Sequence, residues 1–353
     1  MDVSESEDDE WTAISMFAGA GGDTLGMEKA GVNVIAFSEN SAQAVKTHLE
    51  NFPDSKWIGK KYKGDIQKVP DSEILEFKNK VDIVFSGFPC QGHSHAGKKD
   101  PKDPRNQLFR EFVRVTKLVR PRWIIGENVK GILKRKNKSG DNFVDVISKC
   151  FQELGYTIKY KVVKATWYNV PQKRERFIMV GSRDNEEFEI PEGDDQLVPS
   201  LRSIIEFDMN GAVQIEEKVV ERKKNKVITW VNEPADYKVP EKLKPPHPFL
   251  VKNIGLNRIS FETRFSSNHG EVVNLDLPSK TIICAYTFQP RLYVGLKRRD
   301  GTYWLRTLNT KELQQIQGFP KSFRFMGSVN NVIKQIGNAV PPPIIQKVVS
   351  SLL

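Results

Sequence analysis

Short apolar runs alternate with amphipathic segments from residue 12 to about residue 181. The runs "TAISMF", "VNVIAF", "VDIVFSG" and "RWIIGEN" are apolar throughout, which is typical of strands that are buried on both faces. The segments between them, "DTLGMEKAG", "SAQAVKTHLENF" and "QLFREFVRVTKLV", have the spacing of amphipathic helices. This alternation predicts an α/β fold with a doubly wound, mostly parallel sheet. Two further strands, in "YTIKYKVVKATWY" and "RFIMVGS", are expected to pair as a hairpin.

The pattern changes after about Arg183. Residues 184–300 are charged and rich in proline, and their strand-like pieces "KVITWV", "KTIICAY" and "RLYVGL" do not alternate with helices, which predicts a smaller β-rich domain or a long insertion. Helical spacing returns in "TLNTKELQQIQGF" behind a threonine or asparagine cap, and the chain breaks at 337–343 before a helical tail. We therefore expect an acidic leader at 1–11, a first domain at 12–183, a β-rich domain at 184–304 and a return to the first domain at 305–353.

Composition and charge narrow the class of protein. The 353-residue chain is 39% hydrophobic and 28% charged, as in ordinary globular proteins, and contains no apolar run long enough to span a membrane. The acidic start "MDVSESEDDEW" lacks the features of a secretory signal, and three cysteines argue against a disulfide framework, so an intracellular protein is expected. The net charge of +10 favours a polyanionic partner such as nucleic acid, although a surface charged for solubility is the alternative.

Glycines follow the first predicted strand where a helix is expected to begin. In "SMFAGAGGDTLG", Gly19, Gly21 and Gly22 let the backbone approach a ligand, and the helix N-terminus offers unpaired N–H groups. The spacing is not the dinucleotide fingerprint, which would need a glycine where Thr24 stands. The loop therefore predicts a nucleotide-like ligand other than NAD, with a tight structural turn as the alternative.

Two acidic side chains come later in the chain. Glu39 ends the second predicted strand and suits bidentate hydrogen bonding to ribose hydroxyls, while Asp65 in "GDI" is placed to accept from an exocyclic amine such as that of adenine. Either residue alone is more often a surface carboxylate. After a glycine-rich loop, the two together predict an adenosine-bearing cofactor without a pyrophosphate.

Residues with catalytic chemistry end later strands. Cys90 follows "VDIVFSG" at the rim of the sheet, where a thiol held partly as thiolate acts as a nucleophile; a buried structural cysteine is the alternative. Glu127, flanked by apolar residues, is expected to have a raised pKa and to donate a proton. Arg174 and Arg176 alternate in "VPQKRERF", so they would share one face of a strand and suit a base carbonyl or a phosphate. A surface ion pair is the alternative for either arginine.

Taken in order, these segments resemble the DNA cytosine-5 methyltransferase family. The blocks that carry the resemblance span residues 15 to 343 in family order: "FAGAGGDTLG", "SEN", "GDI", "GFPCQGHS", "RNQLFREF", "ENV", "VPQKRERF", "LRTLNTKELQQIQGFP" and "QIGNAVPPP". The resemblance implies a Rossmann-like methyltransferase fold, with a target recognition domain in the variable region. It also implies a monomeric enzyme that acts on double-stranded DNA with S-adenosylmethionine as cofactor.

The resemblance also implies a reaction and the residues that perform it. Cys90 would attack carbon 6 of a cytosine flipped out of the duplex, and Glu127 would protonate or hydrogen-bond ring nitrogen 3. Arg176 would hold the base carbonyl, with Arg174 in support. Carbon 5 would then take the methyl group, lose its proton and release the cysteine.

Two larger groups of residues follow from the resemblance. Those implied for the cofactor are Phe17, Gly19, Gly21, Gly22, Glu39, Asp65, Ile66, Pro89, Leu108, Asn338 and Val340. Those implied for DNA lie on the polar loop after Cys90, and they are Gln91, Ser94, Lys98, Lys99 and Arg105. Cations in such a loop are placed to meet phosphates when the loop closes.

The chain departs from the family pattern at Ser15, and alternative functions also have to be weighed. Ser15 stands where the family often has aspartate, which would weaken cofactor binding. The nearest alternative is a tRNA cytosine-5 methyltransferase of the same fold, but that branch typically has "PPCQ" and "CFT", which this chain lacks. A catalytically silent nucleic-acid-binding homologue is disfavoured because the reacting residues are present, and a dinucleotide oxidoreductase is disfavoured by Thr24. One cysteine with His93 and His95 is too small a set for a zinc site, so no metal is expected.

Overall fold

The computed structural model describes residues 10–89, 108–136, 139–215, 229–240, 271–286 and 292–353. Within these ranges the chain forms two compact units. The first unit comprises the described residues up to Lys164, together with Glu175–Gly193 and Ala339–Leu353. The second comprises Ala165–Arg174 and the described residues from Asp194 to Asn338. No helix in the described ranges is long and apolar enough to cross a membrane.

The first unit is built on a seven-stranded sheet. Its strands are β1 (Thr12–Met16), β2 (Asn33–Ser38), β3 (Lys56–Trp57), β4 (Ile83–Ser86), β5 (Trp123–Val129), β6 (Thr157–Lys164) and β8 (Glu175–Ser182), whereas β7 (Gln172–Lys173) belongs to the second unit. The strand order is β3-β2-β1-β4-β5-β8-β6. Only β8 runs antiparallel to its neighbours, β5 and β6, among the described strands of this sheet. The predicted mostly parallel α/β sheet is therefore confirmed, and β6 and β8 pair antiparallel as expected.

Helices pack against this sheet, several of them through one apolar face. Those of the first unit are α1 (Gly22–Lys29), α2 (Ala42–Asn51), α3 (Asp71–Leu75), α4 (Phe109–Val119), α5 (Phe143–Gln152) and α8 (Pro342–Val349). Phe112 of α4 and Phe151 of α5 meet edge to face with ring centroids 4.8 Å apart, in one core with Val84 and Ile124 of the central strands. This buried core holds the strand ends that carry the candidate site.

The second unit has a smaller sheet and its own core. Its strands are β9 (Val213–Ile215), β10 (Val231–Asn232), β11 (Glu271–Val272), β12 (Ser279–Lys280), β13 (Leu292–Lys297) and β14 (Tyr303–Thr307), and its helices are α6 (Thr310–Ile316) and α7 (Val329–Asn338). The main sheet has the order β10-β13-β14-β9, with β11 also paired to β13, while β12 pairs with β7. Asn309 caps α6 through a capping box with Glu312.

The compact units do not divide the chain at the expected boundaries. Residues 305–338 were expected in the first domain but belong to the second unit, because Leu308, Leu313 and Ile336 pack in one core with Val294. Residues 165–174 also belong to the second unit, since β7 pairs with β12. One local expectation was wrong as well: "KTIICAY" forms no strand beyond its first residue. The expected break within 337–343 is confirmed, with α7 ending at Asn338 and α8 beginning at Pro342.

Candidate active site

Three neighbouring strand ends meet at the rim of the first unit's sheet. β1, β4 and β5 are adjacent, and a Cβ atom placed on Gly87, just after β4, would lie 3.7 Å from the carbonyl oxygen of Phe17 and 3.9 Å from Oε2 of Glu127. Open α/β sheets bind ligands outside the carboxyl ends of their strands. The predicted glycine-rich loop and the predicted acid therefore stand side by side at the place where a ligand is expected.

The loop after β1 makes a left-handed turn. Phe17, Gly19 and Gly21 have positive φ angles of 55°, 55° and 90°. A side chain has no room at Gly21, because its Cβ would lie 2.6 Å from the ring of Phe52 and 3.1 Å from Nδ1 of His48. At Gly19, in contrast, nothing lies within 4 Å of a Cβ position. The backbone at Gly19 therefore borders open space that a ligand can fill.

His48 packs under this loop as a neutral ring. It lies on α2, is fully buried, and stacks on Phe37 with ring centroids 3.8 Å apart. Burial lowers the pKa of His48 to about 3, and neither ring nitrogen has a hydrogen-bond partner among the described residues. An uncharged ring between Phe37 and Gly21 supports the turn without placing a cation beside it.

Glu39 follows β2 and is bound by two backbone N–H groups. The amide of Gly19 donates to Oε2 at 3.0 Å, and the amide of Ser41 donates to Oε1 at 2.6 Å. Burial raises the pKa of Glu39, while the N–H groups of Ser41, Gly19 and Asn40 oppose that shift. Carboxylate oxygens accept more than one hydrogen bond each, so both can also accept from ligand hydroxyls.

A close backbone contact brings the second predicted acid to the first. The indole Nε1 of Trp57 donates to the carbonyl of Glu39 at 3.1 Å, and Gly64 approaches so closely that a Cβ there would overlap the same carbonyl oxygen. Asp65 is the next residue, and it forms an ion pair with Lys68 at 2.9 Å. Sequence reasoning found Glu39 and Asp65 but missed Trp57 and Gly64, which position them.

The remaining cofactor residues predicted in the first unit are spread around this rim. The side chain of Ile66 is buried in the core, and Val340 is buried two residues before α8. Pro89 and Leu108 are half-buried, three residues after β4 and immediately before α4. Contact of these four with a cofactor stays a prediction.

Glu127 and Arg176 form an ion pair in a part of the site that is largely shielded from solvent. Nε of Arg176 lies 2.7 Å from Oε1 of Glu127, and the two side chains are 12% and 14% exposed. The register of β5 against β8 places Arg176 opposite Val129, so it is a diagonal neighbour of Glu127 on the same face. Burial lowers the pKa of Arg176, and the charge of Glu127 opposes that shift. The sequence indicated both residues but not their pairing, which depends on this register.

Asn128 ties the segment before Cys90 to β5. Its side chain is buried, and its Nδ2 donates to the carbonyl of Phe88 at 2.9 Å. Phe88 lies two residues before Cys90 in the chain. The sequence pattern around "ENV" gives no role for Asn128, because nothing in it shows which backbone group the amide will contact.

A buried acid behind the glycine-rich loop was also missed. Asp23, in the first turn of α1, accepts a hydrogen bond from the hydroxyl of Ser15 in β1. Burial raises the pKa of Asp23 to about 7; the Ser15 hydroxyl and the N–H groups of Asp23 and Thr24 oppose this shift, and the charge of Glu127 adds to it. The one signal in the sequence was an acid, Asp23, within the glycine-rich block, together with Ser15 at a position where the family often has aspartate.

The chain was also compared with known proteins. The sequence model of one family, described as C-5 cytosine-specific DNA methylase, matches residues 11–353. The chain belongs to this family. As a member of the C-5 cytosine-specific DNA methylases it is a DNA cytosine-5 methyltransferase, as the sequence predicted.

Similar proteins agree with this assignment of the methylase. The Type II methyltransferase M.Eco47II of Escherichia coli is 31% identical over 341 residues, which cover 94% of this chain and 76% of that protein. The Type II methyltransferase M1.HphI of Haemophilus parahaemolyticus is 32% identical over 365 residues, covering 97% and 86%. The structure of the Dnmt2 methyltransferase of S. pombe superimposes with a TM-score of 0.64 at 16% identity, covering 97% of this chain and 98% of that chain, and so supports the Rossmann-like fold.

Arg174 does not share a strand with Arg176 in this methylase. It lies between β7 and β8, which pair with different strands in different units. Its guanidinium is buried, with Nη1 donating to the carbonyl of Ile282 at 3.1 Å and Nη2 to that of Gly337 at 3.0 Å. The expected alternation within one strand was therefore wrong, because the chain changes sheets at Arg174. A supporting role for Arg174 in base binding stays a prediction.

The other predicted site residues of the methylase belong to the second unit or are not described. Asn338 is exposed at the end of α7 in the second unit. The predicted nucleophile and the predicted DNA-contact residues lie outside the described residues: Cys90, Gln91, Ser94, Lys98, Lys99 and Arg105. In the described ranges, no group of His, Cys, Asp and Glu side chains is arranged to hold a metal ion.

Proposed function

We propose that this methylase transfers the methyl group of S-adenosylmethionine to carbon 5 of a cytosine flipped out of double-stranded DNA, through a covalent adduct of Cys90 with carbon 6. The observation that carries the proposal is the Glu127–Arg176 ion pair, which stands next to the glycine-rich loop at the same rim of the sheet. A loop that suits a nucleoside and a carboxyl–guanidinium pair that suits a base would hold the two reactants side by side.

The residues of the first unit fit the proposed cofactor. The open backbone at Gly19 leaves room for a ligand, and the carboxylate of Glu39 would accept from the ribose hydroxyls. Asp65, held beside Glu39, would accept from the adenine amine. Thr24, fully buried in the first turn of α1, has a hydroxyl without a partner among the described residues, as expected where a ligand or a water completes a site. When bound, S-adenosylmethionine supplies an electrophilic methyl group on a positively charged sulfur.

Cys90 and Glu127 would act on opposite parts of the cytosine ring. The Cys90 thiolate would form a bond to carbon 6 while Glu127 hydrogen-bonds or protonates nitrogen 3, which leaves carbon 5 rich in electrons. Carbon 5 would then accept the methyl group. Loss of the proton from carbon 5 and cleavage of the bond between carbon 6 and sulfur would restore the ring and free Cys90.

Arg176 would orient Glu127 and bind the base with the same guanidinium group. Its Nε is bound to Glu127, so the guanidinium holds that carboxyl in one orientation and keeps further N–H groups for the base carbonyl oxygen. Both side chains are nearly dry, and hydrogen bonds to charged groups are stronger in such surroundings. The pair would therefore read the edge of the base that cytosine presents after flipping.

The proposed partner is double-stranded DNA, and the proposed location of the enzyme is inside the cell. The net charge of +10 suits a polyanion, and the cations predicted for phosphates, Lys98, Lys99 and Arg105, follow Cys90 directly in the chain. We assign target recognition to the β-rich region 184–304, whose core lies in the second unit. The enzyme would act as a monomer without a metal.

A transfer assay tests this proposal. The full chain is incubated with methyl-labelled S-adenosylmethionine and either double-stranded DNA or tRNA, and the nucleic acid is then digested to nucleosides. We expect label in 5-methylcytosine from DNA, and none when Cys90→Ser replaces the wild-type protein. Bisulfite sequencing of the treated DNA would give the site. Label in tRNA alone would establish the alternative substrate, and no label with either substrate would favour a silent homologue.

A further inference from the structure

A buried carboxyl stands between β1 and α1 that the proposed reaction does not use. Asp23 is 3% exposed, and its Oδ2 accepts from the hydroxyl of Ser15, which is itself fully buried in β1. The residue lies two positions after Gly21 and so directly behind the glycine-rich loop. Burying a carboxyl is costly unless the charge has a partner, and the Ser15 hydroxyl together with the N–H groups of Asp23 and Thr24 compensates only in part.

No cationic side chain among the described residues forms an ion pair with Asp23. Across the rim the carboxylate of Glu127, whose own ion-pair partner is Arg176, acts on it as a like charge. Glu39 of the neighbouring β2 is bound by backbone N–H groups, and α8 meets α1 at Gly26 through Pro342 and Ile345, which are apolar. His48 under the loop is neutral because burial lowers its pKa to about 3. A cation that entered this part of the site would therefore find a negative charge that no described side chain neutralises.

We propose that Asp23, oriented by Ser15, is a positioning residue that makes the cofactor site favour a sulfonium over the neutral thioether left after methyl transfer. The inference rests on the proposed cofactor. S-adenosylmethionine and S-adenosylhomocysteine share their adenosine, ammonium and carboxylate groups and differ in the methyl group and in the charge on sulfur. A negative charge behind the loop raises the affinity for the first by Coulomb attraction, and the neutral sulfur of the second gains no such attraction. The result is easier exchange of product for fresh cofactor.

The carboxyl of Asp23 is suited to this role at neutral pH. Its pKa of about 7 means that it changes charge close to physiological pH, and a cation beside it favours the ionised form. The same linkage requires that the ionised form favours the cation. The preference for the sulfonium is therefore expected to rise as pH increases through 7, and Ser15 contributes because its hydrogen bond stabilises the carboxylate.

Equilibrium binding to the full chain tests the inference without relying on turnover. The ratio of the Kd for S-adenosylhomocysteine to the Kd for S-adenosylmethionine is measured by calorimetry between pH 6 and pH 8.5. For the wild type we expect the ratio to rise by about tenfold, the lower end of the effect of an opposite charge on a nearby carboxyl. Asp23→Asn should give a low ratio that does not change with pH. Ser15→Ala should shift the rise to higher pH. A cofactor analogue with a protonated amine in place of the sulfonium should behave like S-adenosylmethionine.

A control variant on the same helix separates an effect of Asp23 from a general loss of charge. Glu28→Gln removes a carboxylate from the exposed side of the same helix and should leave the ratio at its wild-type value. If the wild type binds both ligands but the ratio is the same in Asp23→Asn and constant with pH, the inference about Asp23 is wrong while the proposed cofactor stands. If neither ligand binds to the wild type, the proposed cofactor is wrong and the inference falls with it.

Discussion

At the scale of single residues, the chemistry of the site depends on which side chains are buried together. Glu127 was recognised from its place at the end of an apolar strand, and Arg176 from its spacing. Their ion pair was not foreseeable, because it requires β8 to lie antiparallel to β5 with Arg176 opposite Val129. The Ser15–Asp23 pair was missed for a related reason, since hydrogen bonds between a strand and the following helix leave no periodic signal.

Replacing Glu127 tests the proposed proton donor. Glu127→Gln keeps the shape of the side chain but removes its charge and its ability to protonate nitrogen 3. We expect methyl transfer to slow by about 10²–10⁴-fold, the usual contribution of general acid–base catalysis, with little change in cofactor affinity. Glu175→Gln is the matched control, because Glu175 begins β8 but pairs with Lys130 at the exposed surface. A single-turnover rate that is unchanged in Glu127→Gln would refute the role.

Replacing Asp23 has a predictable effect on stability. Its folded-state pKa of about 7 lies above that of an unfolded aspartate, so ionisation costs stability as pH rises from about 4 and the cost is complete above about pH 7. About three pKa units correspond to about 4 kcal/mol as an upper limit. Asp23→Asn should therefore become more stable relative to the wild type between pH 5 and pH 8. Urea denaturation at both pH values measures this, and a difference independent of pH would contradict the assignment of the buried acid.

At the scale of helices and strands, apolar runs predicted most of the first sheet because strands buried on both faces have a simple pattern. The prediction failed where tertiary pairing decides the structure. At Arg174 the chain passes from β7 to β8, two strands in different sheets, although "QKRERF" has the appearance of one strand. Trp57 and Gly64, which bring the segments of Glu39 and Asp65 together, belong to a short strand and a turn without periodicity.

The turn at Gly64 provides a test at this scale. In Gly64→Ala, the new Cβ would overlap the Glu39 carbonyl at a φ of 74°. We expect weaker binding of S-adenosylmethionine and a loss of stability more than about 1 kcal/mol greater than in a glycine that has only backbone strain. Gly155→Ala is that control, because its φ is 88° and nothing lies within 4 Å of its Cβ position. Equal losses of stability in the two variants, measured by thermal denaturation, would show that the Gly64–Glu39 contact is unimportant.

At the scale of the whole molecule, each of the two units has its own core, and the sequence predicted that there are two parts but not where they divide. Composition marks the start of the second unit only approximately, because membership depends on packing. Leu308, Leu313 and Ile336 have the periodicity of ordinary helices, and nothing in that periodicity shows which core they join. The described part of the second unit also contains a buried ion pair that composition does not reveal, between Arg306 and Glu312.

That ion pair predicts how the second unit responds to mutation. Nη2 of Arg306 lies 2.6 Å from Oε1 of Glu312, and the side chains are 2% and 4% exposed. Glu312→Gln would leave the buried guanidinium without its counter-charge, at an expected cost of about 3–5 kcal/mol. Asp276→Asn, in the solvent-exposed pair with Arg202, should cost far less, because water screens that pair. Chemical denaturation compares the two, and similar small losses would mean that the buried pair does not stabilise the fold.

Mechanism-based trapping tests whether Cys90 bonds covalently to cytosine during methyl transfer. DNA with 5-fluorocytosine at the methylation site is incubated with the full chain and S-adenosylmethionine. Because fluorine on carbon 5 cannot leave as a proton does, the adduct cannot resolve. We predict a protein–DNA complex that survives denaturing electrophoresis with the wild type and is absent with Cys90→Ser. A complex that persists in Cys90→Ser, or a wild type that methylates ordinary DNA but forms no adduct, would contradict the account.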